Sequence, residues 1–373
     1  MRFIVSSSEL LRGLLSVSRV ISQKNAMHIL DNFLFVLKGN TLEVTASDAE
    51  MTLRTVINID NVSEEGSIAV PARLLTDSLK EFPDMPIELR TLELNTLEIN
   101  WNTGSSKIPI DLAEYYPELP AIDESAISIR IPATTLYSGI DYTMYATAEE
   151  TLRPVMNGIL FDLTDGALSL VASDSHKLVC YSRKDITSDI RSSFILPKKP
   201  AAILRSALAK SEEEVEITFD SRNVRFLFKD NLLVCRTVDG TYPAYRTVIP
   251  KNNPNKIIIG RIEFLNAVKR VSVCSNQATS NMSLTLSFNK LTISAQDTSY
   301  STSAHEDITC QYDGEPMVIG FKSNFLIEIL SNLPYDEICF ELSDPARAGL
   351  IVSAQEKDPD EDICALIMPI RLA

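Results

Sequence analysis

Apolar and polar residues alternate in three short segments that are similar to one another along the chain. The segments read TLEVTASD at 41–48, ALSLVASD at 167–174 and KLTISAQD at 290–297. Alternation with a period of two indicates a strand with one face on a hydrophobic core, and the aspartate that ends each segment is typical of a turn. The pattern therefore predicts three equivalent strands, each followed by a turn that starts at an aspartate.

The neighbours of these strands repeat as well, in three blocks offset by 126 and 128 residues. The blocks begin with FIVSSSELL at 3–11, IRIPATTLY at 129–137 and IIIGRIEFL at 257–265. Their middles carry AVPARLLTDSL at 69–79, ILPKKPAAIL at 195–204 and VIGFKSNFLIEIL at 318–330. A repeat held over the whole length predicts three similar domains, at 1–125, 126–252 and 253–373.

Each block also divides into two similar halves. In the first block, apolar residues at helical spacing predict a helix near 7–20, followed by three alternating runs, and a second helix near 72–81 precedes three more. The unit is strand, helix, strand, strand, strand, used twice per block, which predicts an α+β fold with helices on one face of the sheets. The other helices are expected near 134–146, 198–210, 261–273 and 322–332.

The composition is that of a globular protein able to bury hydrophobic cores, with 45% hydrophobic and 23% charged residues in 373. Glu9 and Arg12 interrupt the apolar core that a signal peptide needs, so we expect a cytoplasmic protein. The six cysteines form no Cys-x-x-Cys pair and there are three histidines, which argues against a zinc site or a disulfide framework. Glycine-rich phosphate-binding motifs are absent from the sequence, and we predict neither a metal nor a cofactor.

The charge is unevenly distributed along the chain. The formal net charge is -15, yet the six helical windows contain 12 Lys and Arg against 6 Asp and Glu. An acidic protein that keeps its basic residues on equivalent helices is expected to direct one face at a polyanion. Phosphate contacts of that kind are independent of sequence and weaken steeply with salt.

Asp174, Ser175 and His176 are the residue types of a hydrolase's catalytic triad. The equivalent triplets of the other blocks are Asp48-Ala49-Glu50 and Asp297-Thr298-Ser299, so that only the aspartate recurs. We interpret the aspartate as the residue that caps the turn after each strand. A hydrolase remains an alternative hypothesis, although no Gly-x-Ser-x-Gly elbow accompanies the triplet. A structural repeat protein that binds peptides but no DNA is another.

Several motifs in a fixed order resemble one protein family over the whole chain. They are VPARLL at 70–75, NGILFDL at 157–163, ASDSHKL at 172–178, VDGTYPAYRTVIPK at 238–251 and MPIRL at 368–372. The family is that of the bacterial sliding clamps, the β subunits of DNA polymerase III. The resemblance implies a head-to-tail homodimer whose six domains form a ring, with helices around duplex DNA and sheets outside. It implies a processivity factor without catalytic activity.

The resemblance also implies a peptide-binding cleft, in which polymerase, clamp loader and repair proteins dock through short motifs. The matching positions are Met156, Ser173, Ser175, His176, Lys177, Leu178, Pro243, Thr247, Val248, Phe325, Leu366, Ile367, Met368, Pro369, Ile370 and Arg371. Ser175 stands where the family usually has Gly, Lys177 where Arg is common, and Thr247 where a second Arg can occur.

Two further sets of residues complete the expectations. Basic positions that the family directs at DNA are matched by Lys24, Arg73, Lys198 and Lys199. The helical windows by themselves add Arg205, Lys210, Lys269 and Arg270, with Arg12 and Arg19 as further candidates. The apolar patch at the subunit interface of the family is matched by Ile108, Val273 and Cys274.

Overall fold

The computed structural model describes residues 1–22, 24–149, 152–164, 166–187, 191–355 and 358–372. The chain divides into two compact units, the first made of Met1–Leu136 and Ile203–Thr237 and the second of Tyr137–Ala202 and Val238–Ala373. Within the described residues, none of the helices has the length and apolar character needed to cross a bilayer.

The six predicted helices are present in the part of the chain that the structure describes. They are α1 (Ser7–Ser18), α2 (Ala72–Lys80), α3 (Ala133–Thr143), α4 (Lys198–Leu208), α5 (Arg261–Ser272) and α6 (Ser323–Asn332). In α1 the hydroxyl of Ser6 accepts a hydrogen bond from the backbone N–H of Glu9, and Leu10, Leu14 and Val17 are buried along one face. Lys210 lies in the turn after α4, beyond the helix end that its window predicted.

Short antiparallel strands make up most of the rest. The first half of the chain contains β1 (Arg2–Ser6), β2 (Asn32–Lys38), β3 (Thr41–Ser47), β4 (Met51–Asn58), β5 (Asn61–Glu64), β6 (Gly66–Pro71), β7 (Pro86–Leu92), β8 (Thr96–Trp101), β9 (Gly104–Pro109), β10 (Asp111–Leu112), β11 (Ile127–Pro132), β12 (Gly158–Thr164) and β13 (Ala167–Ser173). The strands that follow are β14 (Lys177–Arg183), β15 (Ser192–Pro197), β16 (Glu214–Phe219), β17 (Asn223–Phe228), β18 (Asn231–Arg236), β19 (Asn255–Gly260), β20 (Asn281–Ser287), β21 (Lys290–Asp297), β22 (Thr302–Thr309), β23 (Met317–Lys322), β24 (Glu337–Leu342), β25 (Gly349–Ser353) and β26 (Glu361–Ile367).

The strand order confirms the duplicated unit and adds a feature that the sequence did not predict. The last three strands of the first half of each repeat form a ladder with the leading strand of the second half, in the orders β6-β2-β3-β4, β15-β12-β13-β14 and β23-β20-β21-β22. The last three strands of the second half form a ladder with the leading strand of the first half, in the orders β1-β7-β8-β9, β11-β16-β17-β18 and β19-β24-β25-β26. In every repeat the strand that precedes a helix pairs with strands of the other half, so the two halves are interlocked.

Two of the ladders join across repeats within each unit. In the first unit β4 pairs with β18, which produces a nine-stranded sheet. In the second unit β14 pairs with β26, which produces an eight-stranded sheet. The remaining ladders end at β9, the last strand of a five-stranded sheet in the first unit, and at β22, the last strand of a four-stranded sheet in the second.

Candidate functional site

The turn after each equivalent strand is capped by its aspartate, as the repeat predicted. The Asp174 carboxylate accepts hydrogen bonds from the backbone N–H groups of His176 (2.9 Å) and Lys177 (2.8 Å). Asp48 accepts two in the same way, and Asp297 accepts one from the N–H of Ser299 (2.8 Å). These bonds fix the direction in which the chain enters β14.

The side chains of Asp174, Ser175 and His176 are not brought together as a catalytic triad. The Ser175 hydroxyl accepts a hydrogen bond from the Arg153 guanidinium (2.7 Å), and its backbone has a positive φ of 77°. The His176 imidazole stacks on the Phe325 ring, with the ring centres 5.5 Å apart. Each side chain has a different partner, so the arrangement does not place a base beside a nucleophile.

A groove of about 360 Å³ opens beside this turn, on the eight-stranded sheet. The strands β13, β14 and β26 supply its base, and the short 3₁₀ helix Pro154–Asn157 and the segment 242–248 supply its walls. It is lined by Met156, Ser173, Ser175, Lys177, Leu178, Tyr242, Pro243, Ala244, Tyr245, Thr247, Val248, Leu366 and Met368. Below it lies a cluster of buried residues from both repeats, which includes Leu160, Leu350 and Leu366.

The segment 242–248 is anchored on the sheet by polar contacts. The Tyr245 hydroxyl donates to the Asp162 carboxylate (2.7 Å), which also lies 3.0 Å from the Arg246 guanidinium. Burial raises the pKa of the Tyr245 phenol, which keeps the group neutral and able to donate. The segment therefore forms a fixed wall of the groove, and the exposed side chain of Val248 lies at its rim.

Lys177 is the charged side chain at the base of the groove, and its ammonium is held by two carboxylates. The Nζ atom lies 2.6 Å from Asp174 Oδ2 and 2.9 Å from Glu328 Oε2. It also lies 4.7 Å from the centre of the Phe325 ring. Burial acts to lower the pKa of Lys177, but the hydrogen bonds with Asp174 and Glu328 outweigh it and the pKa is raised. The ammonium stays protonated, and the two carboxylates balance its charge within the protein.

The structure places ten of the sixteen predicted cleft residues on the groove lining. Ile367 is fully buried, because successive residues of β26 face opposite sides of the sheet and Leu366 takes the groove side. His176 and Phe325 form their stack beside the groove, and Ile370 is held by a backbone bond to Gly320 (2.8 Å). Pro369 is half-buried and Arg371 is exposed, both beyond the lining.

Three lining residues were not among the sequence candidates: Tyr242, Ala244 and Tyr245. They lie in the motif VDGTYPAYRTVIPK, which the sequence singled out as a whole. Two tyrosines in a short apolar segment are a signal for an aromatic wall, and it was available from the sequence.

The basic residues proposed for DNA contact lie at exposed or half-buried positions with differing surroundings. The Arg73 side chain is 96% exposed, and its guanidinium lies 3.7 Å from Asp77. Lys198 lies 3.1 Å from Glu149. The Arg270 guanidinium donates a hydrogen bond to the Glu306 carboxylate (2.9 Å), which lies on β22 of the same unit. The side chains of Lys24, Lys199, Lys210 and Lys269 are exposed, and Arg205 is half-buried.

One of the residues proposed for the subunit interface lies on an edge strand, and the other two follow helix α5. Ile108 belongs to β9 and is 5% exposed. Val273 follows the last residue of α5 and is 78% exposed. The carbonyl of Cys274 accepts a hydrogen bond from the hydroxyl of Thr302, the first residue of β22 (3.5 Å). Within the described residues, no group of three or more His, Cys, Asp and Glu is placed to hold a metal ion.

Comparisons with known proteins agree over the length of the chain. Models of the DNA polymerase III beta subunit match residues 1–120 (N-terminal domain), 130–244 (central domain) and 246–371 (C-terminal domain). The beta sliding clamps of Proteus mirabilis and Pseudomonas aeruginosa are 30% and 28% identical to this chain, and each alignment covers 100% of both sequences.

Solved structures give the same result for the fold. A sliding clamp from Pseudomonas aeruginosa bound to griselimycin has a TM-score of 0.95 at 28% identity, and the clamp of Bacillus subtilis has 0.92 at 25%, each with full coverage of both chains. The interlocked α+β repeats and the groove beside the Asp174 turn are thus found in a chain that belongs to the family of DNA polymerase III β subunits, the bacterial sliding clamps.

Proposed function

We propose that the chain is a DNA polymerase processivity factor, of which two copies close head to tail into a ring around duplex DNA. The ring tethers the replicative polymerase, and in turn the clamp loader and repair proteins, through the groove beside Asp174. We infer three domains per copy, at 1–125, 126–252 and 253–373, a division that the ranges of the three family models support. A factor of this kind acts on DNA in the cytoplasm.

The observation that carries the proposal is the pattern of open sheet edges. Strand β4 of the first repeat pairs with β18 of the second, and the equivalent β14 of the second repeat pairs with β26 of the third. By the same rule β22 of the third repeat should pair with β9 of a first repeat. In the described residues these two strands end their sheets.

Pairing β22 of one copy with β9 of another would complete the rule and cover both exposed edges. The contact is heterologous, because it uses two different surfaces, and such contacts close a ring when their rotation allows. Six equivalent domains from two copies would then follow one another. We propose that Ile108 on β9 and Val273 with Cys274, next to β22, would supply apolar contacts at this junction.

The charge distribution supports DNA as the polyanion. The helices carry an excess of basic residues in a chain of net charge -15, and Arg73, Lys198 and Lys199 lie on α2 and α4. Lysines and arginines without a matching row of base-reading side chains favour contact with phosphates of any sequence. Such contact is loose enough for the ring to slide.

The groove supports the tethering role. It is largely apolar, its walls are fixed by Tyr245 and Arg246, and the buried ammonium of Lys177 is neutralised by Asp174 and Glu328. A short peptide with apolar anchor side chains fits these properties. We propose that griselimycin, which is bound in the Pseudomonas aeruginosa structure, would compete for this groove. The proposed function requires no catalytic residue.

A topological experiment tests the proposal. The clamp is loaded on nicked circular DNA with its clamp loader and ATP, and DNA-bound protein is separated from free protein by gel filtration. The proposal predicts that the protein stays with circular DNA and is released when a restriction enzyme linearises it. Equal retention on circular and linear DNA would show ordinary binding and would contradict encirclement.

A further inference from the structure

A second groove lies on the nine-stranded sheet of the first unit. It has a volume of about 530 Å³ and is open on the sheet face opposite the buried rings of Phe33 and Phe35. It is lined by Leu34, Val36, Glu43, Thr45, Arg54, Ser67, Ala113, Glu114, Tyr116, Pro117, Glu118 and Leu119. The strands β2, β3 and β4 form its base, and the segment 113–119 forms its wall.

This groove repeats the construction of the groove in the second unit. The offset of 126 residues that takes Asp48 to Asp174 also takes Tyr116-Pro117 to Tyr242-Pro243. It takes Leu34 and Leu119 to Leu160 and Tyr245, which belong to the cluster under the other groove. In both units a Tyr-Pro segment thus crosses the sheet made by the first half of a repeat.

The wall of the second groove, like that of the first, is anchored on its sheet by a tyrosine hydroxyl. The Tyr116 hydroxyl donates to the backbone carbonyls of Asn32 (3.3 Å) and Thr45 (3.4 Å), which holds the segment against β2 and β3. Burial raises the pKa of the Tyr116 phenol, so the group remains a donor. The groove is a fixed depression between this segment and the half-buried side chains of Leu34 and Val36.

The two grooves differ in charge. Three carboxylates line the groove of the first unit, on Glu43, Glu114 and Glu118, and the last two are exposed on its rim. The Arg54 guanidinium also lines it, but it lies 3.0 Å from Glu43, which leaves an excess of negative charge at Glu114 and Glu118. Among the residues that the structure describes, the lining of the groove in the second unit contains no Asp or Glu.

We propose that the groove of the first unit binds a second class of partner segment, a short extended peptide with aliphatic side chains next to lysine or arginine. The aliphatic side chains would pack on Leu34, Val36 and Leu119, and the cations would meet Glu114 and Glu118. The proposal rests on the proposed function in one respect: it takes the groove of the second unit to be a peptide site of the same construction. One ring could then hold two partners of different sequence on one copy.

Selection from a random heptapeptide library displayed on phage tests this proposal. The target is the full-length protein with Val248→Glu, a substitution that should obstruct the groove of the second unit. We expect enriched peptides that combine Leu, Ile or Phe with Lys or Arg. Their affinity should fall at least about tenfold with Val36→Glu, since a charge then replaces an apolar side chain at the centre of the groove. It should fall similarly with Glu118→Lys, an exposed rim change that leaves the core intact.

Leu227→Glu is the matched control, because Leu227 belongs to the same sheet and is 44% exposed, but it lies outside the groove lining. It should leave affinity unchanged. Enriched peptides that bind the Val36 and Glu118 variants as well as the parent, or a library without enrichment, would overturn the proposal. Griselimycin binding is measured in parallel on the wild-type protein and on the Val248→Glu variant. Binding to the wild type that the variant abolishes would show that the groove of the second unit binds ligands, whatever the outcome of the selection.

Discussion

The Lys177 ammonium lies 2.9 Å from a carboxylate oxygen of Glu328, and this ion pair joins β14 to α6 at the base of the groove of the second unit. The Lys177 side chain is 5% exposed and that of Glu328 is 44% exposed. The pair therefore links an element of the second repeat to one of the third at a position where water reaches only one partner. Its neutralisation of Lys177 explains how a largely apolar groove can have an ammonium at its base.

Separating this pair should destabilise the second unit. We expect Glu328→Gln to lower the free energy of unfolding by about 1–2 kcal/mol, since Asp174 still neutralises Lys177 and Glu328 is partly solvated. Urea unfolding followed by circular dichroism measures the loss. In a double-mutant cycle with Lys177→Met, the coupling energy should be about 1–2 kcal/mol, and a value below about 0.5 kcal/mol would show that the two residues act independently.

The aspartate at the turn makes two contacts that substitution can separate. The Asp174 Oδ1 atom caps its turn, and the Oδ2 atom lies 2.6 Å from the Lys177 ammonium. Asp174→Ala removes both contacts and should lower the free energy of unfolding, measured with urea, by about 2–3 kcal/mol. Asp174→Asn, which retains an oxygen for the cap, should fall between the alanine variant and the wild type. A loss for Asp174→Asn below about 0.3 kcal/mol would mean that the ion pair contributes nothing measurable.

The subunit junction can be disrupted without disturbing the fold. Val273 is 78% exposed in the single chain, so Val273→Asp should leave the circular dichroism spectrum of the folded protein unchanged while it places a charge in the proposed apolar junction. Sedimentation velocity should then show monomers at concentrations where the wild type is dimeric. Val318→Asp is the control, because Val318 is also exposed but lies on β23, the edge strand opposite β22 in the four-stranded sheet. A dimer that tolerates Val273→Asp would place the junction elsewhere.

Charge reversal on α4 should weaken DNA binding without altering partner binding. For Lys198→Glu with Lys199→Glu, we expect weaker retention on circular DNA. The logarithmic salt slope of binding to short duplexes should decrease by about 0.9 for each phosphate that the protein no longer neutralises. Lys256→Glu is the matched control on strand β19, where Lys256 pairs with Glu341 at 2.8 Å. The double reversal on α4 changes the net charge by twice as much as Lys256→Glu. If Lys256→Glu reduces retention by half as much as the double reversal, the effect is one of net charge alone.

The groove itself is tested at its rim. Val248 is 55% exposed, so Val248→Glu should preserve stability and reduce the affinity for a peptide from the replicative polymerase by about tenfold or more. Fluorescence anisotropy with the labelled peptide measures the change. Val318→Glu, at a comparably exposed position away from the groove lining, should bind the peptide normally. Unchanged affinity of the Val248 variant would move the peptide site away from this groove.

The sequence predicted the repeated elements well because their signals are local. The predicted windows 7–20 and 322–332 agree with the helices Ser7–Ser18 and Ser323–Asn332. In both, the preceding strand marks the start of the helix and the length of the apolar stripe marks its end. The short strands β5 and β10 were not predicted, because each forms only by pairing with a distant strand, β1 or β6. The sequence also did not predict that each strand preceding a helix pairs with the other half of its repeat, because this pairing too is between strands distant in sequence.

The candidate site was predictable only in part. The resemblance placed Leu178, Val248 and Leu366 at one site, and the structure brings them together although they are far apart in sequence. It could not show that Lys177 is neutralised by Glu328, because that contact depends on how α6 packs beside β14. The groove of the first unit likewise needed the position of Tyr116 over β3, which no local pattern reveals.

Ring closure is the feature on which the proposed function depends. Negative-stain electron microscopy of the purified protein observes it directly, once the particles are sorted into class averages. Pairing of β22 with β9 in two copies predicts rings with an open centre and six lobes, and predicts their absence in the Val273→Asp variant. Compact particles without a central hole, in the wild type at concentrations where it is dimeric, would contradict the ring and with it the encirclement of DNA.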